Sequence, residues 1–455
     1  MTMFYPIKLI RQTAGRARMR SALRGAVEFS VPASLTDVDR EQTALFNAQW
    51  KQAQKLPFYQ HWSRLHGLPT AIASARDLNN WPILTKAELR DQHDRVDATP
   101  GANAAYTTSG STSEPFSFPK GDLDFEGFYA SMWSYRIDNG IYPFDSFLLA
   151  ANTISGSGVS GRLQLQRRVT RGLKDLAGNS WKVKGFIATP KDADGAIAAI
   201  RIVRPRFVIG YTSALSAIAR RASDRGLAFP SLRYAIATSE TVASQDIETI
   251  RRGLNVKVLV EYGAVELGVI GGTPAGSAGW PIRVNWRHNI VRSSPSGEVL
   301  ISTLSDRVFP LINYTLDDVV NPEMVTPDGS IVSIAGVDGR TTDIVSVRTV
   351  YDDYRDLSAR ELVYLVRDIP GIESAQVSQI GKGEVDLLLV APTIHRTQTT
   401  QLMAESFRRN HPELASGSVF VRYIDAYVPG GRGKRGVMVS PEFVPLAIDR
   451  HSLVF

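Results

Sequence analysis

The stretch from Arg206 to Glu261 alternates strand and helix, and it constrains the fold more than any other part of the chain. Short apolar runs at Arg206–Gly210, Tyr234–Thr238 and Lys257–Glu261 are separated by helix-period segments at Ser213–Arg225 and Ser244–Arg252. Strands of four or five residues joined by crossover helices predict a parallel sheet covered by helices. A strand at Ser146–Ala151 and an apolar helix at Ala193–Val203 extend the pattern upstream. Ligands of such sheets sit beyond the carboxyl ends of the strands. The loops that follow Thr238 and Glu261 are therefore candidate site loops.

From about Trp280 to Ile334 the pattern turns to strands and tight turns, with strands expected at Ile290-Val291, Glu298–Thr303, Leu311–Tyr314 and Ser330–Ile334. This predicts a β-rich subdomain. Gly339-Arg340-Thr341-Thr342-Asp343 is small and polar, and a domain boundary falls there. Beyond it a compact α+β domain is expected, with a capping box at Ser358–Glu361, strands at Ser374–Ile380, Val385–Val390 and Val419–Ile424, and a helix at Gln398–Arg409. The expected fold is α/β: a large N-terminal domain over 1–339, a hinge at 340–343 and a small mobile domain over 344–455. Upstream, residues 37–54 and Lys86–His93 read as helices, the second capped by Thr85, and Asp122–Gly140 as an aromatic-rich helix. The segments before residue 100 read as docking elements without chemistry of their own.

Composition removes several function classes. The chain has 455 residues and no cysteine, so disulfides, thiolate catalysis and cysteine–zinc sites are excluded. Its seven histidines are scattered without metal spacing. No apolar run approaches the roughly 18 residues of a membrane span. The net charge is +7, but Lys8, Arg11, Arg16, Arg18, Arg20 and Arg24 supply six positive charges within the first 27 residues, which hold no acid. The remainder lies near neutrality, which argues against nucleic acid as a partner. The basic start reads either as a solvated terminal helix or as a segment touching an anionic membrane surface or acidic partner. The expected location is the cytoplasm, with peripheral contact to the inner membrane face as the variant. A homodimer is the commonest oligomer for such a chain.

Tyr106–Pro115 gathers hydroxyls, small residues and a glycine. Such a run is a plain surface loop or a cradle whose N–H groups converge on an anion. It lacks the Gly-Lys-Ser/Thr ending of a Walker A loop. Taken with four downstream motifs, it resembles the phosphate loop of the adenylate-forming superfamily, which includes acyl-CoA synthetases, luciferases and peptide-synthetase adenylation domains. Glu261–Glu266 resembles that family's Tyr-Gly-x-x-Glu motif. Pro310–Asp318 resembles the strand ending in the ribose-binding aspartate, Gly339–Asp343 the hinge, and Gly433-Lys434 the C-terminal catalytic lysine motif. Leu56–Tyr59, Pro82–Lys86 and Pro205–Ala214 resemble the phenylacetate–CoA ligase-like branch, which includes the capsule-biosynthesis proteins called CapK.

The resemblance implies a reaction in two steps. A small-molecule carboxylate attacks the α-phosphate of ATP, giving acyl-AMP and pyrophosphate, and a nucleophile then displaces AMP. The implied acceptor is the CoA thiol. An amine or a sugar is the alternative, as in capsular polysaccharide or secondary-metabolite synthesis, and a catalytically weak nucleotide-binding scaffold is a third reading. Thr108, Ser109, Gly110, Ser111 and Thr112 would hold phosphates, and Glu266 would hold Mg²⁺. Ser239, Glu240, Glu261, Tyr262, Gly263, Asp318 and Arg340 would contact nucleotide, with Lys434 and Glu266 as catalytic groups. The acid pocket is expected around residues 125–160, 210–215 and 238–265. Ser113 and Asp317 stand where the family usually has glycine, and Thr342 where the hinge is often acidic.

Overall fold

A computed structural model of the chain describes residues 34–107, 117–143, 145–151, 180–183, 187, 190–240, 242, 244–341, 343–367, 369–372, 374–391, 396–425, 428, 437–444 and 450–454. The basic N-terminal segment, the hydroxyl loop at 108–116 and the Gly433-Lys434 loop lie outside them. The chain divides into two compact units, Met1–Val337 and Asp338–Phe455.

The first unit begins with a helical layer. Ser34 accepts the Asp37 N–H and starts α1 (Leu35–Ala53), and Pro57 opens α2 (Pro57–His66), which Gly67 ends at φ 61°. Thr85 caps α3 (Lys86–Asp91) by accepting the Glu88 N–H at 3.1 Å, as its sequence predicts. The single helix expected over Lys86–His93 instead breaks at Gln92, which leaves the helical region at φ −114°, and restarts as α4 (His93–Asp97). Phe46, Trp50, Phe58, Tyr59, Trp62 and Trp81 form one buried aromatic cluster that also takes in Phe309. Tyr59 Oη donates to the Pro310 carbonyl at 2.6 Å. This cluster docks the layer on the segment leading to Asp318.

A hairpin of β1 (Ala104–Thr107) and β2 (Ser117–Lys120) precedes α5 (Asp122–Asp138). The parallel sheet follows as β3 (Phe147–Ala150), β4 (Ser180–Val183), α6 (Pro190–Val203), β5 (Phe207–Tyr211), α7 (Thr212–Asp224), β6 (Tyr234–Thr238), α8 (Ser244–Leu254) and β7 (Lys257–Ala264). Alternate residues of these strands serve opposite faces. Val208, Ala235, Ala237, Val258 and Val260 share a core with α6, α7 and α8, whereas Phe207, Ile209, Ile236 and Leu259 share one with Trp133 and Tyr135 of α5. Helices thus cover both faces, as a buried parallel sheet requires.

The β-rich stretch shares its sheet with the parallel strands. A turn after β7 leads into β8 (Gly268–Gly272), which is antiparallel to it, and β9 (Ile282–Val284), β10 (Asn289–Ser293), β11 (Glu298–Thr303), β12 (Tyr314–Val325) and β13 (Ile331–Arg340) continue the same sheet. The order is β10-β11-β12-β13-β9-β8-β7-β6-β5-β3-β4, eleven strands in all among the described residues. The strand expected at Leu311–Tyr314 begins only at Tyr314 and runs on to Val325. Asn313 sits in the left-handed region at φ 51°, which interrupts an extended ladder just before that start.

The second unit holds the hairpin β14 (Ile344–Arg348) and β15 (Tyr354–Ser358), then α9 (Ala359–Arg367). A four-stranded sheet follows in the order β16 (Ser374–Gly381), β17 (Glu384–Val390), β18 (Val419–Tyr423) and β19 (His451–Ser452), with α10 (Arg396–Asn410) between β17 and β18. Val345, Val347, Leu362, Val377, Leu387, Met403 and Phe407 form its core. Buried Asp386 receives Arg422 and Arg450. Among the described residues no helix is long and apolar enough to cross a membrane.

Candidate active site

Strand register brings the first candidates together. Tyr211, Thr238 and Glu261 are neighbours across β5, β6 and β7, at the carboxyl ends of the two strands before β7. Immediately after β6, Ser239 adopts φ 67°, a left-handed conformation uncommon for a residue with a side chain. That bend turns Glu240 back toward α7, where its carboxylate accepts the Ser213 N–H at 2.9 Å and the Ser213 hydroxyl at 3.1 Å. Tyr211, the N-cap residue, makes no side-chain capping bond, and Glu240 caps this helix from a neighbouring loop.

Glu261, at the start of the Glu261–Glu266 motif, is bonded to α5. Its Oε2 accepts from Arg136 Nη2 at 2.6 Å and from the Tyr135 hydroxyl, both on α5, and the Arg136 and Glu261 side chains are 5% and 9% exposed. Burial works against the Arg136 charge, but Glu261 beside it holds the guanidinium above its ordinary pKa. The nearby Gly272 lies against Tyr135, where a Cβ would come within 2.5 Å of the ring. Packing here is closed.

The turn from β7 to β8 carries Glu266. Gly263 is required at its start, because a Cβ there would meet the Gly268 carbonyl at 2.5 Å. Tyr262 Oη donates to Asp318 Oδ2 at 2.9 Å, joining two motifs 56 residues apart. Asp318 does not end its strand; it lies in a bulge within β12. There β11 advances two residues, from Glu298 to Leu300, while its partners on β12 advance four, from Val319 back to Thr315. Asp317 takes φ 60° in that bulge and its N–H donates to Thr315 Oγ1 at 3.0 Å. Asp317 thus holds a left-handed conformation that favours glycine.

Glu266 is 3% exposed. Its Oε1 receives Lys86 Nζ at 2.9 Å and the Tyr314 hydroxyl at 3.3 Å. Three successive main-chain carbonyls of the turn are also held by cations. Lys120 Nζ donates to Val265 O at 2.9 Å, and Arg307 donates to Glu266 O at 2.9 Å and Leu267 O at 2.6 Å. Asp124, which accepts the Gly121 N–H at the start of α5, lies 3.9 Å from Arg307. Burial, with Arg307 beside it, pushes the Lys120 amine down to about 8. Burial also lowers the Arg307 pKa, and it raises that of Tyr314, with the Glu266 charge adding to the effect. Three cations (Lys86, Lys120, Arg307) and two carboxylates (Glu266, Asp124) gather at the turn, and the charges of Arg90 and Asp317 also reach Tyr314.

Sequence reasoning missed these cations. Lys86 sits in a segment read for docking and for its resemblance to the phenylacetate–CoA ligase-like branch, and the Thr85 cap shows that α3 starts there, not which carboxylate its first residue reaches. Lys120 and Arg307 lie 145 and 40 to 41 residues from the carbonyls they hold, with no local motif to mark them. Thr108, Ser109, Gly110, Ser111, Thr112 and Lys434 are outside the described residues. Arg340 ends β13, its carbonyl accepting the Asp343 N–H at 3.2 Å. No group of three or more His, Asp or Glu among the described residues forms a metal cage. Glu266 alone still fits Mg²⁺, which needs one or two carboxylates and takes its other ligands from phosphates and water.

The sequence matches no family model and no curated protein. Solved structures do match. 2-Hydroxyisobutyryl-CoA ligase in its postadenylation state, in complex with R3-HIB-AMP, superposes with a TM-score of 0.67 at 14% identity over 90% of each chain. The same ligase with 2-HIB-AMP and CoA in the thioesterification state gives 0.55 at 16% identity over 91% of each. An ATP-bound RpMatB-BxBclM chimera gives 0.50 at 14% identity over 74% of this chain and 67% of its own. The mixed eleven-stranded sheet and the small α+β unit after it together make the adenylate-forming enzyme fold.

Proposed function

We propose that the protein is an AMP-forming ligase that activates a carboxylic acid as its acyl-adenylate and passes the acyl group to an acceptor. The observation that carries this reading is the Tyr262–Asp318 hydrogen bond of 2.9 Å. It sets the Tyr-Gly-x-x-Glu turn beside the aspartate proposed for the ribose, so that one small region offers a diol acceptor and a buried carboxylate. Asp318 can accept from both ribose hydroxyls. Glu266 would hold Mg²⁺, which when bound spreads the charge of the phosphates. Lys120 and Arg307 fix the turn that aims Glu266, and the hydroxyl loop at 108–112 would cradle phosphates through N–H and O–H donors.

Lys434 is proposed to meet charge as it develops between the attacking carboxylate and the α-phosphate, an effect typically worth about 3 kcal/mol or more. Residues 340–343 are proposed as the hinge on which the small domain turns between half-reactions. The CoA thiol is the acceptor we favour, since 2-hydroxyisobutyryl-CoA ligase shares the fold over 90% of both chains.

ATP–pyrophosphate exchange against pools of aryl, fatty, hydroxy and amino acids tests the first half-reaction. Exchange with one pool, lost in Lys434→Ala, supports the reading and names the acid class. AMP release is then followed with CoA, amines and sugars; release with an amine or sugar but not CoA removes the thiol. Measurable ATP binding with no exchange in any pool leaves a nucleotide-binding scaffold.

A further inference from the structure

The Lys86–Glu266 pair has an asymmetry. The Glu266 side chain is 4% exposed and the Lys86 side chain 30%. The carboxylate is enclosed, whereas the Lys86 side chain keeps part of its surface open to solvent. The other two cations of the turn do not share that freedom, because Lys120 and Arg307 are buried and tied to the carbonyls of residues 265 to 267. A divalent ion on Glu266 would bring two further positive charges to a carboxylate whose Oε1 already holds the Lys86 ammonium. Like charges so placed repel strongly where water is excluded. Lys86 is the group that can leave.

We infer that Lys86 is the resident counter-ion of Glu266 in the nucleotide-free protein, and that Mg²⁺ arriving with ATP takes Glu266 by releasing Lys86 toward solvent. The inference rests on Glu266 as the metal ligand proposed above. It gives the pair a use. A buried carboxylate without a partner is destabilising, so Lys86 holds it while the site is empty. The same pair opposes capture of a free metal ion, since a lone ion must break it without phosphates to complete its shell.

The test is binding of α,β-methylene-ATP by calorimetry, with Mn²⁺ and with EDTA, in the full chain and in Lys86→Met, Glu266→Gln and the double variant. The readout is the ratio of affinity with Mn²⁺ to affinity without metal. We expect this ratio to rise about tenfold or more in Lys86→Met, in line with the coupling energies of close buried charge pairs. It should fall to near one in both proteins carrying Glu266→Gln. Lys86→Arg keeps the charge and should leave the ratio within about threefold of the parent, which separates loss of the ion pair from loss of packing. An unchanged or reduced ratio in Lys86→Met, with Glu266→Gln still abolishing the metal effect, overturns the exchange and leaves the metal assignment standing. A Glu266→Gln ratio equal to the parent's removes the metal assignment itself.

Discussion

Lys120 should make this protein more stable as the pH rises from 8 to about 10. Burial and the neighbouring Arg307 hold its amine at about 8 in place of the ordinary 10.5, against the opposing pull of Asp124 and Glu266. Below pH 8 the folded and unfolded chains both carry the ammonium, so the penalty for enclosing it is complete and constant. Between pH 8 and 10.5 the unfolded chain keeps its proton and the folded chain loses it. The unfolded state then binds more protons, and stability rises with pH across that window. At about 1.4 kcal/mol per tenfold change in acidity, the whole displacement corresponds to about 3 kcal/mol, of which about 2 falls between pH 8 and 10. Lys120→Met removes the titration while filling similar volume. Urea unfolding of both proteins at several pH values, compared as a difference, cancels every other titrating group. The gap should move by about 2 kcal/mol in favour of the parent as pH rises from 8 to 10. Parallel stability curves would refute the reasoning and mean that Lys120 is solvated in solution.

Two further substitutions probe the backbone and the buried pair. Asp317→Gly relieves a left-handed residue but adds freedom to the unfolded chain, so thermal unfolding should show a change within about 0.5 kcal/mol, whereas Asp317→Val should lose about 2 kcal/mol; a large loss with glycine contradicts the φ argument. Glu261→Leu strands the buried Arg136 and should cost about 3–5 kcal/mol, and Arg136→Met combined with it should recover most of that in urea titrations; equal losses in the single and double variants would show that the charges do not act as a pair.

Much of the fold was legible because it depends on local periodicity. The helices near Ser213–Arg225 and Ser244–Arg252 and the strands at Tyr234–Thr238 and Glu298–Thr303 were read within a few residues, since each buries its own apolar set. The long strand β12 was misplaced because the apolar pair Leu311-Ile312 lies before the left-handed Asn313 and outside the strand, and because the far end of the strand is exposed and lacks apolar alternation. The continuity of the eleven-stranded sheet was not readable either. Period-two patterns mark strands but not their neighbours, and β8 joins the parallel half to the antiparallel half through five small or apolar residues, Gly268–Gly272. Within the site, Tyr262, Glu266 and Asp318 were named by motif, and the Tyr262–Asp318 contact brings two of those motifs together. Glu261 was named by motif and Glu240 by its place in the loop after Thr238; neither reading could give the bonds these carboxylates make to Arg136 and Ser213, since residue type does not fix the direction of a carboxylate. Lys86 and Arg307 went unnoticed because their partners are distant in the chain.

The docking of the helical layer has a bearing on how the chain is made. Gln42 donates to the carbonyls of Trp286 and Asn289, Tyr59 to that of Pro310, and Arg76 to that of Pro327, separations of 244 to 251 residues. The layer leaves the ribosome some 244 to 251 residues before the carbonyls that receive it. At roughly 5–20 residues per second, tens of seconds separate the two. Throughout that interval Phe46, Trp50, Phe58, Tyr59, Trp62 and Trp81 have only one another and near neighbours such as Leu78 and Leu89 to bury against, while Phe309, the ring that completes their cluster, has yet to be translated. This aromatic layer thus waits during synthesis for the surface it docks on, and it is where a holding chaperone would find apolar surface.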